Sequence, residues 1–411
     1  SDPVKMPIGF KFTAVNAADG WGAVYLAPLV EAGIPPVVMA IGAAGPVWEA
    51  QEKMRSAGWS RAKMRSAGLV FRAADWDVPE YHLDPREAAT RQYEFHKARW
   101  PRELDRDVVW FGIVNEPAFV LEPGAVAAGP YRRTVELYGR PHLDNSEWLA
   151  AHALRLCEHA LADGVRLTLL GWSAGTPEPW QWTGPRMTEL LALMRANPDT
   201  LALDVHEYSL VEDTLDAPAL IGRWQAIPRP WPTVFVTEFG WTLRDAPEAA
   251  EGVAQIEAAY RRWYARPEVR GLALWTLGKE GAAWGSLGQK MNGYMEPLAA
   301  RVAATDVPPL AGEPENPPPP AELPAANLLV NGGFDDGWTD DDLYPATPQN
   351  PKGGLLRWNL SDLSPFSGKA YQLGEGVHKN AFPPEERDQF LWDGTAWTYK
   401  VFAADRPLWA R

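Results

Sequence analysis

The chain has 411 residues, with 39 Lys and Arg against 53 Asp and Glu, a formal charge of −14. An acidic chain without a basic run suits neither a phosphate backbone nor an anionic membrane, so neither nucleic acid nor membrane is expected as a partner. A single cysteine, Cys157, excludes an internal disulfide framework and any multi-cysteine zinc or iron–sulfur site. The longest uncharged stretch, Ala32–Trp48, holds Pro35, Pro36 and Pro46 and falls short of a spanning helix. Tryptophan is the outlier, with 21 residues; indole faces stack on the apolar faces of sugars, and they also fill cores.

Apolar, β-rich runs occur at Ile8–Val15, Val37–Ile41, Leu69–Ala73, Val108–Val114, Val165–Leu170, Leu201–Val205, Val234–Thr237 and Leu272–Trp275. Helical patterns lie between them, clearest at Ser146–Ala162, Arg186–Ala196 and Ala246–Ala265, and a last helix is expected over Tyr294–Ala304. Asn145 or Ser146 with Glu147 makes a cap for the first of these, and Gly164 stops it. Strands buried on both faces and joined by helices require a parallel sheet. Eight such units in residues 1–307 predict a closed (β/α)8 TIM barrel, of the α/β class, in preference to an open doubly wound sheet. No G-x-G-x-x-G follows the first strand, against a dinucleotide fold. A direct repeat, KMRSAG at Lys53–Gly58 and again at Lys63–Gly68, reads as a local duplication lengthening the second helix.

From Val307 onward the composition changes. Residues 308–324 hold eight prolines, so 308–325 is expected to run as a semi-rigid spacer. Residues 326–411 open with NLLVNGGF at Asn327–Phe334 and continue with short runs such as Ala370–Leu373 and Thr398–Phe402, between Gly, Asn, Asp and aromatic residues. That pattern predicts a small all-β sandwich, expected to be incomplete because the chain stops directly after a strand-like run. Asp335, Asp336 and Asp340 to Asp342 read as a solvated acidic loop, with a structural Ca²⁺ site as the alternative.

In such a barrel the active site forms at the carboxyl ends of the strands. The fourth run ends in Asn115-Glu116-Pro117, the sixth in His206-Glu207-Tyr208, the seventh in Thr237-Glu238-Phe239-Gly240-Trp241 and the eighth in Trp275. Alternation puts Trp110, Gly112, Val114 and Glu116 on one side of the fourth strand. It groups Asp204, His206 and Tyr208 on the sixth, and Val234, Val236 and Glu238 on the seventh. Glu116 and Glu238 thus end strands on opposite sides of one mouth, the pairing that glycoside cleavage needs: one carboxyl protonates the leaving oxygen while the other attacks the anomeric carbon. Glu207 points the other way and reads as a salt-bridge partner of the helix layer, and Asp204 as a deeper buried acid.

WFGIVNEP, DVHEY, VFVTEFGW and LALWTLG, in this order, resemble the retaining glycoside hydrolases of clan A, the group that includes cellulases and mannanases, β-xylosidases and short β-1,3-glucanases. The resemblance implies a (β/α)8 fold and hydrolysis of a β-linked polysaccharide by double displacement, with no cofactor and no metal. It implies Glu116 as acid/base and Glu238 as nucleophile, Asn115 on the sugar 2-hydroxyl, Tyr208 on the nucleophile, His206 supporting the acid/base, and Trp275 under the attacked sugar. The Arg near the second strand and the His ending the third that many members carry are missing at those places; Arg72, Asp75 and Trp76 end the third strand instead and are candidate substrate contacts. So are Trp241 and Trp172, while Trp180, Trp182 and Trp284 also fall in or beside strand-end loops and either line the cleft or pack loops. The NLLVNGGF segment resembles the opening of jelly-roll carbohydrate-binding modules, with Trp358, Trp392 and Trp397 as candidate platforms; tethering would raise the local substrate concentration. A monomeric protein at the cell surface or outside the cell is expected, its export signal already removed. Retention requires the two carboxyls to stand about 5–5.5 Å apart.

Two other readings compete. Gly171-Trp172-Ser173-Ala174-Gly175 matches the G-x-S-x-G elbow of serine acyl hydrolases, although Pro177 and Pro179 oppose the helix that must follow the serine. A decayed barrel that only binds polysaccharide is the other, and such a protein has no need of two paired acids. His152 and His159, which flank Cys157, share no face with a third metal ligand and read as solvated helix residues.

Overall fold

The computed structural model describes residues 4–310, apart from 14–19, 138, 218, 243–244 and 279–284, together with three short strands nearer the carboxyl end. Eight parallel strands close a barrel in chain order: β1 Ile8–Phe12, β2 Val37–Ile41, β3 Gly68–Arg72, β4 Trp110–Gly112, β5 Arg166–Trp172, β6 Leu201–Tyr208, β7 Thr233–Gly240 and β8 Val269–Leu277, the last pairing with β1. Each coincides with one of the eight β-rich runs. Helices α1 Ala27–Glu31, α2 Gly45–Ser56, α3 Arg61–Met64, α4 Pro85–Lys97, α5 Ser146–Asp163, α6 Pro185–Ala196, α7 Ala249–Ala259, α8 Gly285–Asn292 and α9 Met295–Ala304 fill the connections. The chain divides into two compact units, Ser1–Val135 with Pro141–Pro319, and Glu136–Arg140 with Pro320–Arg411.

The barrel is solid. Val37, Met39, Val70, Trp110, Ala202, Phe235 and Ala273, from six strands, meet in one buried cluster. Below them Arg166 lays its guanidinium 4.0 Å from the ring centre of Trp110. The same side chain donates to the carbonyls of Val108 at 2.7 Å, Asp199 at 3.0 Å and Arg65 at 3.3 Å. A long cation thus seals the amino-terminal end by satisfying loop carbonyls. The described ends of the unit are stapled by an antiparallel pair, Val4–Lys5 with Asp306–Val307.

Local signals set the helix ends. Asp84 accepts from the backbone N–H of Arg86 and of Glu87 and caps α4, and Gly164, at φ +66°, ends α5. The expected Asn145–Glu147 cap of α5 is different in detail. Asp144 accepts from Ser146, while Glu147 reaches across to the N–H groups of Arg186 and Met187 at the start of α6. Of the two histidines expected to be solvated, His152 is buried, as is Cys157, and His159 is half-buried and stacks on Tyr93 of α4, because α5 packs on α4 and the barrel.

Strict alternation fails at β7. Phe235, not Val234 or Val236, faces the barrel axis, where it meets Trp110. Val205 pairs with Val236 but His206 pairs with Glu238, so Thr237 is an extra residue, a β-bulge. The bulge turns both Thr237 and Glu238 inward. A second one in β5 sets Leu169 opposite Leu203 and Trp172 opposite Val205.

In the second unit, strands Ala370–Gln372 and Phe390–Trp392 both pair antiparallel with Trp397–Lys400 between them. The rest of the expected sandwich, the spacer beyond residue 310, the Asp335–Asp342 cluster and Trp358 lie outside the described residues.

Candidate active site

The carboxyl ends of β1, β3, β4, β6, β7 and β8 bring Lys11, Arg72, Glu116, His206, Tyr208, Glu238 and Trp275 to the mouth of the barrel, all of them buried. Glu116 sits just beyond β4 and is positioned through its backbone. Asn115 donates its N–H to the carbonyl of Asp77 at 2.9 Å, and Glu116 donates to that of Gly171 at 2.8 Å. Between these two ties Glu116 adopts φ +41°, a left-handed conformation that costs a non-glycine residue energy and persists only where the surroundings impose it. Gly171, at φ +48°, lets the backbones of β4 and β5 come that close: a Cβ there would stand 2.9 Å from the carbonyl oxygen of Val114.

His206 bridges the two acids. Its Nδ1 lies 2.8 Å from Glu116 Oε1 and 3.3 Å from Glu238 Oε2. Burial, with Lys11 and Arg72 adding to it, pushes the imidazole down to about 3, so the ring is neutral at neutral pH. One proton between Nδ1 and Glu116 Oε1 then satisfies both groups, carried by either. The hydroxyl of Tyr208 donates to Glu238 Oε2 at 2.8 Å, and burial holds that phenol well above its usual range, fully protonated. Lys11 donates to Glu238 Oε1. Burial alone would raise the pKa of Glu238, but the charges of His206 when protonated, of Lys11 and of Arg72, with the Lys11 hydrogen bond, win and hold it low, at about 2. Since His206 is neutral at pH 7, the standing charges are those of Lys11 and Arg72. Arg72 is anchored 3.8 Å from Asp77.

Glu116, His206 and Glu238 each offer a ligand atom within 4.8 Å of the others, close enough to converge on one cation. Both oxygens of Glu238 are already engaged by protein donors, one of them the Lys11 ammonium, and Glu116 Oε1 is engaged by His206. The donor set suits proton transfer better than metal ligation. Asn115 presents a buried Oδ1 that no protein donor satisfies, which suits a hydroxyl.

Trp275 and Arg72, among the residues named as sugar contacts, stand beside this cluster: Lys11 Nζ lies 5.4 Å from the Trp275 ring centre, and Arg72 acts electrostatically on Glu238. Three indoles go elsewhere. Trp76 packs edge-on against Phe95 and under Arg91, both on α4. Trp172 is buried against Trp182, and Trp241 packs on Tyr294 with its N–H donated to Gln255 at 2.7 Å. The rings of Trp172 and Trp241 are buried in the layer between strand ends and helices, and Trp76 is half-buried beside α4. Asp75 is exposed on the loop after β3. Trp284 lies outside the described residues.

Asp204 is a buried acid beneath the pair. It accepts from Thr237, and burial pushes it up to about 7. Glu207 faces outward as alternation requires, but it anchors backbone rather than forming a salt bridge: it accepts from the N–H of Gly222 at 2.6 Å, from Trp224 at 2.7 Å, and from Tyr264. Ser173 is buried and lies 3.2 Å from the Thr176 hydroxyl. The next helical turn is the short 3₁₀ segment Pro179–Thr183, so the helix of a nucleophile elbow does not follow. Lys11 was missed by sequence reasoning. Its signal is a lysine at the carboxyl end of an otherwise apolar strand, IGFKF, with the inward parity of the barrel.

No protein-family model matches the chain, and no curated protein does. Among solved structures it is similar to a monomeric β-xylosidase from Caulobacter crescentus CB15, at 13% identity and a TM-score of 0.37 over 74% of this chain and 68% of that one. It is also similar to the catalytic domain of Thermobifida fusca endoglucanase Cel5A, at 14% and 0.35 over 74% and 91%. A third is a GH128 endo-β-1,3-glucanase from Amycolatopsis mediterranei, at 17% and 0.35 over 73% and 100%. Among the described residues no helix is long and apolar enough to cross a membrane.

Proposed function

We propose that the barrel is a retaining glycoside hydrolase that cleaves a β-linked polysaccharide, with Glu116 as acid/base and Glu238 as nucleophile. The observation that carries this reading is the carboxylate pair itself, two oxygens within 4.8 Å across the mouth of a barrel. That is the scale of retaining pairs, about 5–5.5 Å, and well short of the roughly 6.5–9.5 Å that leaves room for an inverting water. The two acids also have different surroundings. Glu238 is kept ionised by Lys11 and Arg72, as a nucleophile must be, while Glu116 meets the neutral His206, whose Nδ1 lies 2.8 Å from its Oε1. In the first step Glu116 protonates the leaving oxygen as Glu238 attacks the anomeric carbon. In the second, Glu116 takes a proton from water and the glycosyl ester on Glu238 is cleaved. Asn115 Oδ1 accepts from a sugar hydroxyl and Trp275 floors the subsite. The substrate is a polymer outside the cell, and residues 326–411 hold it near the barrel.

The test is reducing-sugar release from β-glucans, mannan, xylan and galactan by the wild type, Glu116→Ala and Glu238→Ala, with the anomeric configuration of the first product read by NMR. Expected is activity on one polymer, a β-configured product, and a loss of about 10³-fold or more in each variant. A silent wild type that still binds a polymer favours a polysaccharide-binding protein, and an α-configured product refutes the assigned roles.

A further inference from the structure

Lys11 carries an inference that rests on the glycosidase reading. Lys11 is 3% exposed, and the direct partner of its ammonium is Glu238. A buried ammonium is costly unless a counter-charge meets it. When Glu238 becomes a glycosyl ester that counter-charge is gone, and the other acid acting on Lys11 is Asp204, already bonded to Thr237. The ion pair therefore disfavours the intermediate and is restored only as the ester breaks.

We propose that Lys11 is a catalytic residue of the second displacement. Water attacks the anomeric carbon and gives a proton to the Glu116 carboxylate; the bond from that carbon to Glu238 breaks, and its electron pair returns to the carboxylate, where the ammonium meets it. Burial holds Lys11 down to about 8 while the Glu238 carboxylate raises it, so the ammonium form is tied to the ionised carboxylate that the step restores. Its attraction is stronger in the transition state than in the ester, which is the condition for accelerating a step. The same pairing opposes the first displacement, in which the carboxylate loses its charge. Removal of the ammonium should thus move the two steps in opposite directions, whereas a merely distorted site would slow both.

The test uses the full chain with the 2,4-dinitrophenyl 2-deoxy-2-fluoro-β-glycosides of glucose, xylose and mannose, which trap the glycosyl-enzyme for intact-mass measurement. Wild type, Lys11→Met and Lys11→Arg are labelled, freed of excess probe, and followed as the adduct decays. Lys11→Gln stands in if the methionine variant does not fold. Expected is labelling of Lys11→Met at least as fast as wild type and decay on the order of 10–100-fold slower, the usual weight of a hydrogen bond to a charged group. Lys11→Arg, which keeps the charge, should decay within a few-fold of wild type. Decay of the Lys11→Met adduct at the wild-type rate, or equal slowing of both steps, overturns the role of Lys11 alone. Failure of all three probes to label wild-type Glu238 overturns the glycosidase reading and the Lys11 role with it.

Discussion

Replacing Gly171 by alanine would place a methyl carbon 2.9 Å from the carbonyl oxygen of Val114, 3.4 Å from Asn115 Cα and 3.6 Å from His206 Nε2. The nearest atom belongs to backbone and cannot swing aside as a flexible side chain would, so the Val114–Glu116 segment must shift by several tenths of an ångström. The residue also sits at φ +48°, which costs an L-residue about 1–2 kcal/mol. Crowding a packed site adds about 1–3 kcal/mol, for a total of roughly 2–5 kcal/mol. At about 2 °C per kcal/mol for a large domain, the melting temperature should fall by roughly 4–10 °C. Gly171 accepts the N–H of Glu116, so the displacement drags the acid/base with it. Misplacement on the ångström scale costs about 100-fold in rate, and a fraction of that is expected here. Gly164→Ala is the matched control, with φ +66° at the end of α5 and no atom within 4 Å of the added carbon. It should lose only about 1–2 kcal/mol and keep full activity. Thermal melts and hydrolysis of the polymer found in the substrate panel measure both. If Gly171→Ala is as stable as Gly164→Ala, or is destabilised but fully active, the close approach of β4 and β5 does not position Glu116.

Two predictions concern groups outside the reacting pair. His152 is buried with neither ring nitrogen hydrogen-bonded, and burial pushes it down to about 3. The unfolded chain takes up that proton near pH 6.5 and the folded one does not, so stability is lost as pH falls from about 6.5 toward 3. His152→Leu should spare roughly 3 kcal/mol of that loss at pH 4, read by urea unfolding at pH 4 and pH 7; equal losses in both proteins would contradict the assignment. Ser173 bonds only locally with Thr176, so Ser173→Ala should leave polysaccharide hydrolysis within about two-fold of wild type and cost at most about 1 kcal/mol of stability. Abolition of hydrolysis by that change would revive the acyl-hydrolase reading.

The barrel was legible because its signals are local. Runs such as VVMAI and LALDV, separated by amphipathic helices with Pro and Gly at their ends, state strand, helix and order within a few residues each. The same locality placed Glu116, His206, Tyr208 and Glu238 at strand ends, though for β7 the argument used the wrong face. A two-residue period cannot report the Thr237 bulge, because a bulge is defined by pairing with β6. Lys11 was visible as a residue but not as a partner, since 227 positions separate it from Glu238 and only closure of the ring through β8 joins them. Trp76, Trp172 and Trp241 show the same limit from the other side. An indole beside a strand end is equally good at covering a sugar or filling a gap, and its neighbours decide which. His152 and Cys157 became core residues once α4 packed on α5. Composition and period settle what contiguous residues must do, whereas side-chain direction at irregular points and charge pairing across the barrel depend on contacts that exist only after the chain has closed on itself.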